Sequence, residues 1–142
     1  IYKFLLTPKK YRKKINKINL NFTYDFDQKT IVIKDIRIDG KLSPKILMVN
    51  PQSRLSWQYH HRRAEIWQVY RGTVGIVRSD EDVEGPLVEF YEGDQVRLAQ
   101  GERHRLVGLT DFGIVAEIWQ HTEEVPSDEE DIVRVQDDFR RK

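Results

Sequence analysis

The sequence contains no cysteine, one methionine and only five prolines among its 142 residues. The absence of cysteine excludes disulfide bonds and thiolate metal ligands and fits a reducing compartment, so we expect a cytoplasmic protein. No run approaches the roughly 18 to 20 apolar residues that a transmembrane helix needs, so we expect no membrane partner. With 39% hydrophobic and 33% charged residues, the remaining composition is that of one globular domain with its own core.

Neither sign of charge predominates, since the sequence has 24 Lys and Arg residues and 23 Asp and Glu residues. Basic residues nevertheless concentrate between positions 9 and 17, and acidic residues between 123 and 131. No stacking platform or nucleic-acid motif accompanies the basic run, so we interpret both runs as solvated flanks and expect no nucleic-acid partner. The helical signals are weak: a short basic helix over residues 8–19 and a helix N-cap at Ser127.

Short runs of β-branched and alternating residues dominate the chain from position 30 onward. They predict strands over residues 31–33, 36–38, 45–49, 54–60, 66–70, 74–78, 87–91, 95–98, 104–109 and 113–119. Glycine- and aspartate-containing turns separate many of these runs, which is typical of a sandwich or barrel. We therefore predict an all-β jelly-roll barrel, with an N-terminal extension and first strands at 1–44, a barrel core at 45–122 and an acidic C-terminal tail at 123–142 that packs on or near the barrel.

The large side chains of these strands suggest where the barrel is packed. We expect the core to include the following apolar residues: Ile46, Met48, Val69, Val74, Ile76, Leu98, Leu106 and Ile114. Four aromatic residues are expected on faces opposite the site described next: Trp57, Tyr59, Tyr70 and Trp119. Because one barrel cannot cover both faces of its own sheets, we predict that these aromatic faces are buried in a homodimer.

A cluster of metal-ligand residue types follows the strand that begins near residue 54. Gln58, His60 and Glu65 lie within eight residues, and His104 follows a second turn at Gly101. Alternation along a strand places Gln58 and His60 on one face and His61 on the other. Amide, imidazole and carboxylate groups suit a divalent ion, most naturally zinc. From the residues alone, a surface charge cluster in which Gln58 only satisfies backbone groups remains the alternative.

The spacing of these residues resembles the two conserved motifs of the cupin superfamily. The pattern is Gln58-x-His60-x4-Glu65-x6-Gly72, followed by Gly93-x7-Gly101-x2-His104. The segment from Leu55 to Trp67 is similar to type II mannose-6-phosphate isomerases, which often form the C-terminal half of mannose-1-phosphate guanylyltransferases. The similarity runs over residues 45–141 and extends to free-standing cupins described as sugar-phosphate isomerases.

The resemblance implies a double-stranded β-helix and transfers the family's metal ligands to four positions: Gln58, His60, Glu65 and His104. Three positions depart from the family pattern. Arg62 and Ile66 stand where histidines are usual, and Ala99 replaces a proline. None of the departures removes a ligand, but the first two change the rim of the site.

The implied activity is the metal-dependent interconversion of an aldose phosphate and a ketose phosphate through an enediol. Such a reaction needs a base that moves a proton between neighbouring carbons, and Glu117 is our candidate if it faces inward. Three arginines are candidates for binding the phosphate of a small sugar phosphate: Arg63, Arg103 and Arg105. The alternatives are a non-catalytic module that binds a sugar or nucleotide-sugar, a nucleotide-sugar epimerase, and a metal-dependent dioxygenase. An amide in the ligand set argues against the last.

Overall fold

The computed structural model describes residues 45–140 in full, together with the backbone of short strands at 3–5, 22–25, 30–33, 36–38 and 42–44. These residues form strands and no helix: β1 (Lys3–Leu5), β2 (Phe22–Asp25), β3 (Thr30–Ile33), β4 (Ile36–Ile38), β5 (Leu42–Val49), β6 (Trp57–Tyr59), β7 (Arg63–Arg71), β8 (Val74–Ser79), β9 (Leu87–Phe90), β10 (Gln95–Leu98), β11 (Arg103–Gly108), β12 (Gly113–His121) and β13 (Val133–Gln136). A search of the described part of the chain finds no helix that could cross a membrane.

The strands form two five-stranded sheets and a smaller one. The first sheet has the order β1-β5-β12-β7-β10, the second β13-β6-β11-β8-β9, and the third β2-β3-β4. All neighbouring strands pair antiparallel except β1 and β5, which are parallel. From β6 to β13 the chain passes repeatedly between the two large sheets, as in a jelly roll. The prediction of an all-β barrel is confirmed.

The barrel core lies between the two large sheets. It is a cluster of apolar side chains contributed by both of them: Leu47, Val49, Trp67, Val69, Val74, Ile76, Val96, Leu98, Leu106 and Val115. Five of the eight predicted core residues belong to this cluster: Val69, Val74, Ile76, Leu98 and Leu106.

The other three predicted core residues, Ile46, Met48 and Ile114, are buried but alternate with cluster members and so face the opposite side of the first sheet. The sequence from Ile46 to Val49 is apolar at every position, so its periodicity cannot indicate which residues face inward. The core side is instead occupied by Leu47 and Val49.

Two strand boundaries differ from the prediction in a way that shapes the site. The run 54–60 is a strand only over Trp57–Tyr59, while Arg54 forms an isolated bridge to Val107. Strand β7 already begins at Arg63, three residues earlier than expected. Residues 60–62 therefore form a tight connection between the two sheets, and His60 lies on this connection rather than within a strand.

The predicted helix N-cap at Ser127 is wrong, because residues 128–131 form a turn. The carboxylate of Asp128 accepts hydrogen bonds from the backbone N–H of Glu130 at 2.9 Å and of Asp131 at 3.0 Å. These bonds close an Asx-type turn, which competes with helix formation. The chain then enters β13, which pairs with β6. The helix predicted at 8–19 lies outside the described residues.

The predicted outward position of Trp119 is also wrong. Trp119 alternates with Val115 and Glu117 on the inner face of β12 and is only 5% exposed. Trp57 is 2% exposed within the chain itself, so neither tryptophan is available to a partner. Tyr59 and Tyr70 remain partly exposed. The homodimer stays a prediction.

Candidate metal centre

A cavity of about 130 Å³ lies between the two large sheets. Its walls combine apolar side chains such as Leu47, Leu106 and Ile132 with polar and aromatic residues from both sheets: Gln58, Arg63, Trp67, His104, Glu117 and Trp119. The mixture of a few polar groups with an apolar lining is typical of a small-molecule site.

Three buried side chains bring their ligand atoms together beside this cavity. His60, Glu65 and His104 are at most 2% exposed, and their ligand atoms lie within 4.8 Å of one another. The distance from His60 Nε2 to Glu65 Oε1 is 3.0 Å, and from His104 Nε2 to Glu65 Oε2 it is 3.4 Å. The connection after β6, strand β7 and strand β11 thus each supply one member.

Backbone carbonyls determine which ring nitrogen of each histidine carries the proton. His60 Nδ1 lies 2.7 Å from the carbonyl oxygen of Asp131, and His104 Nδ1 lies 2.9 Å from that of Glu102. Because a carbonyl oxygen only accepts hydrogen bonds, both Nδ1 atoms carry the proton. In the neutral rings both Nε2 lone pairs therefore point at Glu65. This arrangement is the one that metal-ligating histidines adopt.

The electrostatics of the three residues call for a positive charge between them. Burial by itself would raise the pKa of Glu65, but His60 and His104 outweigh it and hold the pKa well below the usual range. Burial would likewise lower the pKa of His104, yet its contact with Glu65 raises it. His104 Nε2 is buried and has no hydrogen-bond partner among the described residues. Glu65 is therefore stabilised by positive charge, which a histidine proton, Arg63 or a bound cation can supply.

The set fits a divalent ion. Imidazole nitrogens and carboxylate oxygens are zinc ligands, and the three ligand atoms lie within 4.8 Å of one another. Gln58, the predicted fourth ligand, lines the cavity, and its Nε2 is 3.5 Å from His60 Nε2. Its Oε1 accepts a hydrogen bond from Ser56. Since the two ends of an amide are assigned from such contacts, a half-turn of the side chain would present its oxygen to the site.

Of the two adjacent histidines, only His60 faces this site. His61 is exposed, and its ring meets that of Tyr59 edge-on, with 5.4 Å between centroids. Strand alternation thus indicated the correct histidine, although His60 lies just beyond the strand.

Arg63 is the cation nearest to the three residues. Its Nε donates to Glu65 Oε1 at 2.8 Å, and its Nη2 lies 3.3 Å from His60 Nε2. Its Nη1 donates to the hydroxyl of Ser127 at 2.8 Å, and the guanidinium stands 3.6 Å from the centre of the Trp119 ring. Because His60 Nε2 has one lone pair, it accepts either Arg63 or a metal ion. Of the three arginines predicted to bind phosphate, Arg63 lines the cavity and directly contacts the candidate ligands.

The other two arginines are engaged elsewhere. Arg103 alternates with His104, faces away from the cavity, binds Asp82 at 2.8 Å and stacks on Tyr59. Arg105 is only 1% exposed and touches the cavity wall. Its guanidinium is held by the carbonyl of Leu55, by Glu84 and by Gln136. Arg105 therefore connects β11 to Leu55, Glu84 and Gln136.

Glu117, the predicted base, faces the cavity from β12 and is 4% exposed. Trp119 Nε1 donates to its carboxylate at 2.7 Å. Burial, with the negative charge of Glu65 as the next contribution, raises the pKa of Glu117 to about 8. Glu117 is thus a carboxyl group that exchanges its proton near neutral pH, which general acid–base chemistry requires.

The segment 122–132 supports the site through hydrogen bonds to residues 60–63. The carboxylate of Asp131 accepts the backbone N–H of His61 at 2.9 Å and of Arg62 at 3.0 Å, and the Ser127 hydroxyl at 2.6 Å. Burial would raise the pKa of Asp131, but these hydrogen bonds lower it. The sequence of the acidic run by itself indicates a solvated flank, because the partners of Asp131 lie some 70 residues earlier in the chain. Lys45, whose ammonium contacts the ring of Trp119, was missed for the same reason.

Known proteins resemble the chain in both sequence and structure. Residues 31–137 match the family model described as mannose-6-phosphate isomerase C-terminal. The xanthan biosynthesis protein XanB of Xanthomonas campestris is 32% identical over 106 residues, which are 75% of this chain but 21% of that protein. The chain therefore spans about a fifth of this curated relative.

Solved structures show the same architecture. A cupin 2 conserved barrel protein from Salinispora arenicola superposes with a TM-score of 0.50 and 25% identity over 58% of this chain and 66% of that one. Oxalate decarboxylase from Bacillus subtilis superposes with a TM-score of 0.57 and 16% identity over 66% of this chain and 23% of that one. The fold is that of a cupin, and the chain belongs to the mannose-6-phosphate isomerase C-terminal family.

Proposed function

We propose that the protein is a metal-dependent sugar-phosphate isomerase that interconverts an aldose phosphate and a ketose phosphate, with mannose 6-phosphate as the first substrate to test. The observation that carries the proposal is the presence, in one cavity, of the His60–Glu65–His104 set and a carboxyl group, Glu117, that titrates near neutral pH. Membership of the family supports the class of substrate.

The ion would be held by His60, Glu65 and His104, with Gln58 as the fourth ligand, and zinc is the ion that we propose. A divalent ion at this position would supply positive charge to the carbonyl and hydroxyl oxygens of a sugar. For His60 to act as a ligand, its Nε2 contact with Arg63 must be released. Arg63 would keep its hydrogen bonds to the hydroxyl of Ser127 and the carbonyl oxygen of Asp128.

Glu117 would move the proton in this mechanism. Isomerisation removes the proton from C2 of the aldose and returns it to C1, while the hydroxyl proton passes from O2 to O1. A carboxyl group with a pKa of about 8 can both accept and return such a proton. Trp119 fixes the carboxyl by its hydrogen bond, and Glu117 itself is buried at 4% exposure.

The test is an assay of mannose 6-phosphate and fructose 6-phosphate interconversion by the purified protein. We expect turnover that EDTA abolishes and that added zinc restores. Absence of turnover with every divalent ion tested would reject the isomerase proposal, and turnover unaffected by chelation would reject its metal requirement.

A second candidate is a module that binds a sugar or nucleotide-sugar without transforming it. It is favoured by one observation: Arg63 already supplies a cation to Glu65 and His60, so the site can be electrostatically satisfied without a metal. Calorimetry in EDTA separates the two candidates. Binding of the sugar phosphate without a metal and without turnover in any buffer would favour the binding module.

A further inference from the structure

Two buried cations meet at one aromatic ring of the cavity wall. Lys45 on β5 is 2% exposed, and its Nζ lies 3.7 Å from the centre of the Trp119 ring. The guanidinium of Arg63 lies 3.6 Å from the same centre. Arg63 and Trp119 line the cavity, and Lys45 is the cross-strand neighbour of Glu117, which also lines it. Buried positive charge beside a cavity is costly unless an anion accompanies it.

The anion that accompanies Lys45 comes from the segment 122–132. The carboxylate of Glu129 forms an ion pair and hydrogen bond with Lys45, although the Glu129 side chain is 50% exposed. Glu129 lies on the turn 128–131 and contributes to the cavity wall. The half-exposed side chain of Glu129 thus pairs with Lys45, which is almost completely buried. Burial lowers the pKa of Lys45 despite this partner, so the ammonium gains from any anion that approaches.

We propose that Lys45 and Arg63 form the anion subsite of the cavity and that the carboxylate of Glu129 occupies it until the phosphate of the ligand displaces it. The proposal rests on the proposed function for the class of ligand and adds where its anionic group binds. A phosphate carries more negative charge than a carboxylate and offers more acceptor oxygens. The side chain of Glu129 is half exposed and can return to water, and the arriving phosphate then supplies the anion that the buried ammonium of Lys45 needs.

The displacement predicts that Glu129 competes with phosphate. Glu129→Gln should therefore bind inorganic phosphate about tenfold more tightly than the unaltered protein, because the unoccupied form of the subsite becomes more populated. Glu130→Gln is the matched control, since it makes the same change of charge on the next residue. Glu130 is exposed, and its side chain forms no hydrogen bond or ion pair with the described residues. Calorimetric titration with phosphate in EDTA measures binding without metal or turnover.

A second variant tests the lysine. In the Glu129→Gln background, Lys45→Met should abolish phosphate binding, while Lys45→Arg should retain most of it, and thermal unfolding checks that each protein is folded. Equal affinities of the Glu129→Gln and Glu130→Gln proteins, or unchanged binding by a folded Lys45→Met protein, would overturn the proposal. If Lys45→Met does not fold, the comparison of the two glutamine variants decides alone.

The same titrations keep this proposal separate from the isomerase. Mannose 6-phosphate should show the same dependence on Glu129 as inorganic phosphate, whereas mannose should show none. If the isomerase assay fails while Glu129→Gln still tightens phosphate binding, the anion subsite stands and serves another phosphorylated ligand. If turnover is found but Glu129→Gln does not change the phosphate affinity, the isomerase proposal stands and the subsite is rejected.

Discussion

Glu65 and Glu117 lie on neighbouring strands and make the same hydrogen bond, yet their pKa values move in opposite directions. Each accepts the indole N–H of the tryptophan two residues later, Trp67 at 2.9 Å and Trp119 at 2.7 Å. Burial would raise both pKa values. The pKa of Glu65 is nevertheless held well below its usual range by His60 and His104, whereas that of Glu117 rises to about 8. Glu65 is thereby suited to bind a cation, and Glu117 is suited to carry a proton.

The first prediction concerns metal binding and uses the two adjacent histidines. Zinc at about a hundredfold its dissociation constant should stabilise the protein by about 3 kcal/mol. For a domain of this size, this corresponds to a rise in Tm of roughly 5–10 °C. His60→Ala should remove most of this rise, whereas His61→Ala, which alters an exposed neighbour outside the site, should keep it. Differential scanning calorimetry with EDTA and with zinc makes the comparison, and equal behaviour of the two variants would contradict the assignment of His60.

The second prediction separates proton transfer from binding. Glu117→Gln keeps an oxygen that can accept the Trp119 hydrogen bond but removes the exchangeable proton. We expect kcat for isomerisation to fall by about 10²- to 10⁴-fold, the range for loss of a general acid–base group, with little change in KM. Zinc stabilisation should be retained, because Glu117 is not a proposed ligand. A variant with undiminished kcat would show that another group moves the proton.

The third prediction concerns the pH dependence of stability without metal. The folded protein keeps the proton of Glu117 up to pH about 8, whereas an unfolded glutamate loses it near 4.5. The native state therefore binds more protons in this interval, and the free energy of unfolding should fall as the pH rises from about 5 to 8. The raised pKa of His104 acts in the same direction, since its contribution is complete below 6.5 and is lost as the pH rises through the folded value.

Urea unfolding in EDTA at several pH values tests this dependence. Glu117→Gln should flatten the decline by an amount on the order of 4 kcal/mol, because glutamine does not titrate and each pKa unit corresponds to about 1.4 kcal/mol. Parallel pH profiles for the two proteins would show that Glu117 is not protonated in the folded state.

The fourth prediction concerns Asp131, which supports the site from the segment 122–132. Asp131→Ala leaves the N–H groups of His61 and Arg62 without their acceptor and loosens the carbonyl that orients His60. We expect the free energy of unfolding to fall by about 2–4 kcal/mol, because buried donors lose their partners. Zinc affinity should fall about tenfold or more, as it does when outer partners of metal ligands are removed. Glu130→Ala, an exposed neighbour, should change neither quantity, and an equal loss in both variants would count against this role.

Local patterns in the sequence were enough for the strands and for most of the ligand set. Alternation around Gln58 and His60 indicates which side chains share a face, and this inference needs only the two-residue period of a strand. Glu65 and His104 enter the predicted cluster from their positions after turns, and the resemblance to cupins implies the same four residues. The pattern could not orient the run from Ile46 to Val49, because a strand buried on both faces shows no alternation.

What the amino-acid sequence determined by itself is therefore the class of fold, the residue types of the site and the choice of His60 over His61. Only the tertiary structure decided that Glu117 and Trp119 face inward, that Arg63 contacts the ligand atoms, and that segment 122–132 closes over them. The ion pair of Lys45 with Glu129 joins residues 84 positions apart. Local propensities carry no information about such pairings, because they form when the packing of two sheets brings distant charges into one buried volume.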